Sequence, residues 1–504
     1  MLSTIIRVAA LGLASLVFAI SCSSPEDPEG SSATIQNQSQ IETFVQAAAE
    51  GQSHKVIMML DTGLAERQQA LDRGLMAALQ AGHASLASFL LNRGANPSST
   101  NHESVTALMA GALLGDFHLV KQLVDLGADP NATDNEKRTP LMSAAASGNL
   151  ETVNFVLDQK VKVNARDSRG FTALMWAAPG NHHEIMKVLI DHGANVNHED
   201  RNGFTALWLA AALGHQESVR LLLDQQAQAH LVNKEGYCLL VDAAGGDKAI
   251  VLMLLDAGAD INASHKADGR TALLEATYRG IPDTAQLLLE RGADVNQPDQ
   301  NGNTPLIAAV AGGSMKLIQI LLNAKPGLNA QNAWGRTALN DAARLGNLPL
   351  VRLLLEKGAD PNVMDRQGIT AIKSAAGQGN LAMVQLLLEH NARFQSHDHD
   401  GYTALTSVHD RDRYGMTPLI SASFGDNIEI IRLLLAQGAD VNTPTRRGWT
   451  ALMSAAFEGN RDIVELLLEH GANAQAKTRD GWTAHKSAEL SGHIHIAHLF
   501  SPNE

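Results

Sequence analysis

Two groups of histidines are the side chains in this sequence best suited to chemistry. His397-Asp398-His399-Asp400 alternates imidazole with carboxylate, and His485, His493, His495 and His498 crowd its last segment. Imidazole nitrogens and carboxylate oxygens are ligands that zinc takes. The first group falls in a loop where polar residues are ordinary. The second lies in a terminal segment that needs a polar outer face, so neither is expected to hold a metal, and no cofactor is expected. The chain has no HExxH helix, no GxxxxGK phosphate loop, no GxSxG elbow and no paired CxxC. No catalytic residue is assigned and the chain is not read as an enzyme. Of its two cysteines, Cys22 and Cys238, the latter reads as a packed, inert thiol.

The elements that must position these residues follow from a recurrence. Thr106, Thr139, Thr172 and Thr205, then Cys238 in the same place, then Thr271, Thr304, Thr337, Thr370 and Thr403 stand 33 residues apart. After each comes a small or ring-locked residue and usually Leu or Ile, then an alanine-rich run, a turn and a leucine-rich run. Leu141 to Ala146 predicts a short helix whose small residues let a neighbour approach closely. Nine residues after the threonine stands Gly115, Gly148, Gly214, Gly280, Gly313, Gly346, Gly379 or Gly459, a left-handed stop. Asn181, Asp247 and Asp426 take that place in three units and are expected to share its positive φ. A second helix such as Ile463 to Leu468 has apolar positions at helical spacing. Asn202-Gly203, Asp268-Gly269 and Asp480-Gly481 mark the tight turns between units. A fixed short period of this kind belongs to stacked repeat proteins.

The Thr-Pro/Ala-Leu start, the alanine pair, the turn glycine, the Leu-Leu-Leu helix end and Gly292-Ala293-Asp294-Val295-Asn296 or Gly438-Ala439-Asp440-Val441-Asn442 resemble the ankyrin-repeat family from about Ile41 to Phe500. The resemblance implies an all-α fold, a solenoid of stacked helix-turn-helix units with hairpin loops. It also implies that partners lie along the hairpin tips and the concave face of the first helices. The family's usual histidine after the leucine is replaced by Met109, Met142, Met175, Trp208 or Ile307, which is expected to exchange a polar link between helix starts for apolar packing. Loop asparagines Asn131, Asn164, Asn197, Asn262, Asn296 and Asn442 are expected to secure the loop backbone.

Domain organisation is read as a signal peptide over 1–21, a tether over 22–40, a main repeat array over 41–402, a truncated repeat over 403–416, and further repeats with a cap over 417–504. Thr403 and Thr417 are only 14 residues apart, so a whole unit cannot fit, and an irregular joint is expected there. The run Val8 to Ile20 is short for a bilayer span. Ala19-Ile20-Ser21-Cys22 resembles a bacterial lipoprotein box with Cys22 lipidated, although Ala19-x-Ser21 also suits ordinary signal cleavage. The polar stretch Ser23-Ser24-Pro25-Glu26-Asp27-Pro28-Glu29-Gly30-Ser31-Ser32 cannot build a core. The expected location is therefore an outer membrane, facing the periplasm, with a soluble periplasmic or secreted protein as the alternative. The only membrane contact expected is through the lipid.

With 39 basic against 53 acidic residues and a net charge of −14, nucleic acid is not expected as a partner. The residue before each threonine is Phe171, Phe204, Tyr237, Arg270, Asn303, Arg336, Ile369, Tyr402, Met416, Trp449 or Trp482. Six of these eleven are aromatic in a chain with 4% aromatic residues, so the enrichment is local to this row. Tyr278, Arg344, Phe424 and Phe457 are expected on the same side of the first helices. Aromatic and arginine side chains dominate binding hot spots, and packing on the adjacent hairpin is the other use such rings have. The expectation is a non-catalytic, monomeric scaffold for one or more proteins. Its alternatives are a receptor or enzyme with a pocket at the joint 403–417, and a structural spacer.

Overall fold

Each threonine starts a helix because its hydroxyl satisfies a backbone N–H that the first turn leaves without a partner. Thr106 Oγ1 accepts from the Met109 N–H at 3.1 Å, Thr139 from Met142 at 3.3 Å and Thr450 from Met453 at 3.3 Å. The computed structural model describes residues 32–63, 66–393, 416–445 and 447–500. Its two compact units are Met1–Ala267 and Asp268–Glu504, and each is taken by itself.

In both units the described chain is a succession of helical hairpins, with no strand longer than an isolated bridge among the described residues. The first unit begins with Ser32–Ala49 and Ser53–Asp61, and Arg67–Gln80 and Ala84–Asn92. It then repeats a shorter pair such as Pro140–Ser147 and Leu150–Asp158 as far as Leu239–Ala244 and Lys248–Asp256. The second unit runs from Ala272–Tyr278 and Pro282–Glu290 to Ala484–Leu490 and Ile494–Ala497. Within each unit the first helices stack on first helices and the second on second helices. The core lies between the two rows: Leu141, Ala144, Ala145, Val153 and Val156 are almost wholly buried, and so are their counterparts one period on.

The second helices end as Gly-Ala requires. Gly292, at φ 92°, donates to the Leu289 carbonyl at 3.1 Å and Ala293 donates to the Leu288 carbonyl at 2.9 Å, which satisfies the last turn. After the first helix, Asn181 at φ 55° and Asp426 at φ 57° replace glycine as expected. Asp247 does not. Its φ is −83° and its carboxylate accepts the Ala249 N–H at 2.8 Å, because Gly245-Gly246 has already turned the chain and leaves Asp247 to start the next helix.

Successive layers are tied by side chains as well as by packing. Asn164 Oδ1 accepts the Asn195 N–H at 2.8 Å, and Asn197, Asn329, Asn362 and Asn442 do the same 31 residues further on. The loop asparagines therefore hold the following unit's loop. Met109, Met142, Met175 and Ile307 are buried apolar filler. The polar link is nevertheless retained at Trp208, whose Nε1–H donates to Asp242 at 3.1 Å, and at Asn340, whose amide donates to the Val363 carbonyl at 3.1 Å.

The truncated repeat 403–416 lies outside the described residues but for Met416. On either side of it the first helices are in contact: Pro418–Phe424 packs directly on Ala371–Gly377. A Cβ on Gly425 would stand 2.9 Å from the Gly377 carbonyl oxygen, so the two layers approach as closely as glycine permits.

Candidate functional site

The loop that presents the row before each threonine is built on an acidic or amide residue five positions earlier. Asp167 Oδ1 accepts the Arg169 and Phe171 N–H groups at 2.9 and 2.8 Å, and Asp200, Asn233, Asp299, Asn332 and Asp365 repeat the pattern. Thr445 and Thr478 replace them in the last units and accept from Trp449 and Trp482 at 3.0 and 2.9 Å. Burial pushes the Asp200 carboxyl above its usual range. Neighbouring tips are joined by backbone bonds, such as Arg201 N–H to the Arg169 carbonyl at 3.0 Å and Arg479 N–H to the Arg447 carbonyl at 2.9 Å.

On this scaffold the row divides into three kinds of residue. In the first unit its rings are used for packing. Phe171, expected at the surface, is only 4% exposed; it meets Trp176 edge-on at 6.1 Å with the Arg169 guanidinium 5.0 Å above it. Half-buried Phe204 packs on Trp208 at 5.2 Å, and half-buried Tyr237 on His265 at 5.2 Å.

Early in the second unit the row is polar and internally paired. Arg270 bonds Glu275 at 3.1 Å and Asp268 at 3.2 Å and lies 4.8 Å over the Tyr278 ring. The Tyr278 hydroxyl donates to Asp299 at 2.7 Å, and its pKa is pushed up to about 12, first by burial and then by that carboxylate. Arg336 faces Asp365 at 3.6 Å, while exposed Arg344 reaches Asp341 at 3.3 Å. Charges already paired on one surface offer a partner little new attraction.

In the last units the row opens into a groove of about 430 Å³. Trp449 lies parallel to Phe424, with 5° between their planes and 6.2 Å between centroids, and meets Phe457 at 6.2 Å and Trp482 at 6.0 Å. The Trp449 indole N–H donates to Ser454 at 2.8 Å, which fixes its tilt. Met416, Thr445, Arg447, Thr478 and Asp480 complete the lining. Of these, Thr445, Arg447, Thr478 and Asp480 had no sequence signal beyond their place in the loop. Also missed was Trp334, a hairpin-tip residue 51% exposed. Cys22 and Tyr402 lie outside the described residues, as does His397 to Asp400.

Among the described residues no three His, Cys, Asp or Glu side chains converge as a metal site. His485 Nδ1 is engaged with the Ala497 carbonyl at 3.0 Å and Nε2 faces Glu489 at 3.4 Å. Cys238 is buried, and burial raises its thiol pKa, which disfavours the reactive thiolate. No helix among the described residues is long and apolar enough to cross a membrane.

A family model described as "Ankyrin repeats (3 copies)" matches the chain in overlapping stretches from 75–167 through 440–503. The chain belongs to the ankyrin-repeat family. It is also similar, at 38% identity over 64 residues, to "Ankyrin repeat and SAM domain-containing protein 6" of Rattus norvegicus; that stretch is 13% of this chain and 7% of the relative. Ankyrin repeats mark protein-protein interaction scaffolds, which are generally not catalysts.

Proposed function

We propose that this chain is a non-catalytic scaffold exported to a bacterial envelope, held there by a lipid on Cys22, and bound to a partner protein through its last repeats. The observation behind the binding surface is the groove around Trp449 and Trp482: half-buried apolar rings clustered beside hairpin tips that neighbouring backbone bonds hold in place. Aromatic anchors in such a setting supply most of the energy of an interface. The anchoring rests on the apolar run Val8 to Ile20, Cys22 and the polar tether after it. Outer-membrane attachment facing the periplasm is the location these features favour, with the chain monomeric.

The test is crosslinking capture from envelope extracts with the native chain and with Trp482→Ala. A stoichiometric partner held by the first and lost by an equally stable variant is the expected result. Equal capture by both would sink the surface. For the anchor, Cys22→Ala should move the chain from the membrane to the soluble fraction, and unchanged fractionation would overturn it.

A further inference from the structure

We infer that the hairpin tip Asn202-Gly203 is a modification site, where the Asn202 side-chain amide is lost as ammonia and the main chain converts to isoaspartate. The modification needs no partner and is independent of the groove. Two tips of the chain carry Asn-Gly, Asn202-Gly203 in the first unit and Asn301-Gly302 in the second, and both asparagines are exposed. Glycine leaves its own amide nitrogen unshielded, because no Cβ stands beside it. In the reaction the Gly203 nitrogen attacks Asn202 Cγ. The N–Cγ bond forms, the Cγ–Nδ2 bond breaks, and ammonia leaves with the proton that the Gly203 nitrogen gives up. Solvent water then opens the ring. Opening at the main-chain carbonyl yields isoaspartate, and opening at the side-chain carbonyl yields aspartate.

The surroundings of the two tips differ in both groups that this reaction needs. A base must take the glycine proton. The Gly203 N–H donates to the Asp200 carbonyl at 3.2 Å and also faces the Asp200 carboxylate, which accepts the Asn202 and Phe204 N–H groups at 2.9 and 2.8 Å. Burial raises that carboxyl's pKa, so it takes a proton more readily than an ordinary carboxylate. The negative charge that develops must then be met. Lys234 Nζ donates to the Arg201 carbonyl at 3.2 Å and to the Asp200 carbonyl at 3.4 Å, so an ammonium stands beside the reacting peptide. At the other tip Asp299 Oδ2 is engaged by the Tyr278 hydroxyl at 2.7 Å and the Asn303 amide at 3.2 Å, and Ala333 takes the place of Lys234. The Ala333 N–H holds the Asn301 carbonyl at 2.7 Å, where the Lys234 N–H holds the Asn202 carbonyl at 3.2 Å. Isoaspartate lengthens the main chain by a methylene and turns the former Asn202 carbonyl into a carboxylate. The bond between the two tips thereby loses its fixed geometry.

The test holds the full chain at mildly alkaline pH and follows peptides released by cleavage after glutamate. Mass spectrometry reads the amide-to-acid mass gain, and electron-transfer fragmentation tells isoaspartate from aspartate. Asn202 should convert about fivefold faster than Asn301, the factor that one charge at contact distance supplies in water. Lys234→Ala should remove that advantage without changing the Asn301 rate or the circular dichroism, while Lys234→Arg keeps the charge and should keep the rate. Unfolding in urea should bring the two sites to one rate, since the dipeptides are then alike. Asn301 converting as fast as Asn202 in the folded chain, or an unchanged Asn202 rate in a fully stable Lys234→Ala protein, overturns the inference. So does a difference between the sites that persists in urea, because the fold would then have no part in it.

Discussion

His182 illustrates how much one position in the repeat can change. It follows the left-handed Asn181 and its ring lies where a Cβ on Gly148 would be, 2.5 Å away, so Gly148 is required both for its φ of 80° and for the space it leaves. Burial lowers the imidazole pKa below 6.5, the backbone contact with Ala146 opposes that, and His215 and His183 add repulsion. A lowered folded pKa means that the unfolded chain takes up the proton first. The stability this residue contributes is therefore full above pH 6.5 and is lost as pH falls through the folded value. Asn149 occupies the same place in the preceding unit and caps the second helix by accepting the Thr152 N–H at 2.8 Å. His182→Asn should accordingly lose less melting temperature between pH 7.5 and pH 5 than the native chain does. Parallel pH curves for the two proteins would show that His182 is not the responsive group.

At the scale of the element, the unusual contact is between Ala371–Gly377 and Pro418–Phe424, neighbours in the stack although their threonines are 47 residues apart. Gly425 carries this contact at an ordinary φ of −83°, so the requirement is steric. Gly425→Ala would bring a methyl within 2.9 Å of backbone and 2.6 Å of the Asn427 amide. Overpacking of this kind costs roughly 1–3 kcal/mol. Urea unfolding followed through Trp449 and Trp482 should show it as an earlier loss of the last layers, and an unchanged midpoint would mean that the layers separate at no cost. The helices themselves were legible because Thr139, Gly148 and the Leu-rich runs mark helix starts, stops and faces by local rules. The fate of the aromatic row was not. Phe171 and Trp449 occupy equivalent places, but Phe171 meets Trp176 on the following helix and is buried. Trp449 meets Ser454 at that position and is left beside an open groove. Between these two positions the ring's surroundings differ with the residue five places on, a signal that was present in the sequence and readable only as a pair.

For the whole molecule, stability in a stacked array is a sum of layers and nearest-neighbour interfaces, so the register of 33 matters only where it sets which layers touch. Thr403 and Thr417 break that register by 14 residues, yet the layers of Thr370 and Thr417 are already in contact. The extra residues are therefore dispensable for stacking. Deleting Tyr402 to Gly415 removes 14 residues, restores the period and keeps Met416 for the groove. The connection between the layers shortens by about half, which lowers its entropic closure cost by roughly 0.6 kcal/mol. The deletion variant should fold with a melting temperature equal to or slightly above that of the native chain, and it should capture the same crosslinked partner. A cooperative loss of the layers from Thr417 onward would instead mean that the segment supplies packing of its own. Partner capture lost in a variant of full stability would place part of the recognition surface in the deleted residues rather than in the rings of Trp449 and Trp482.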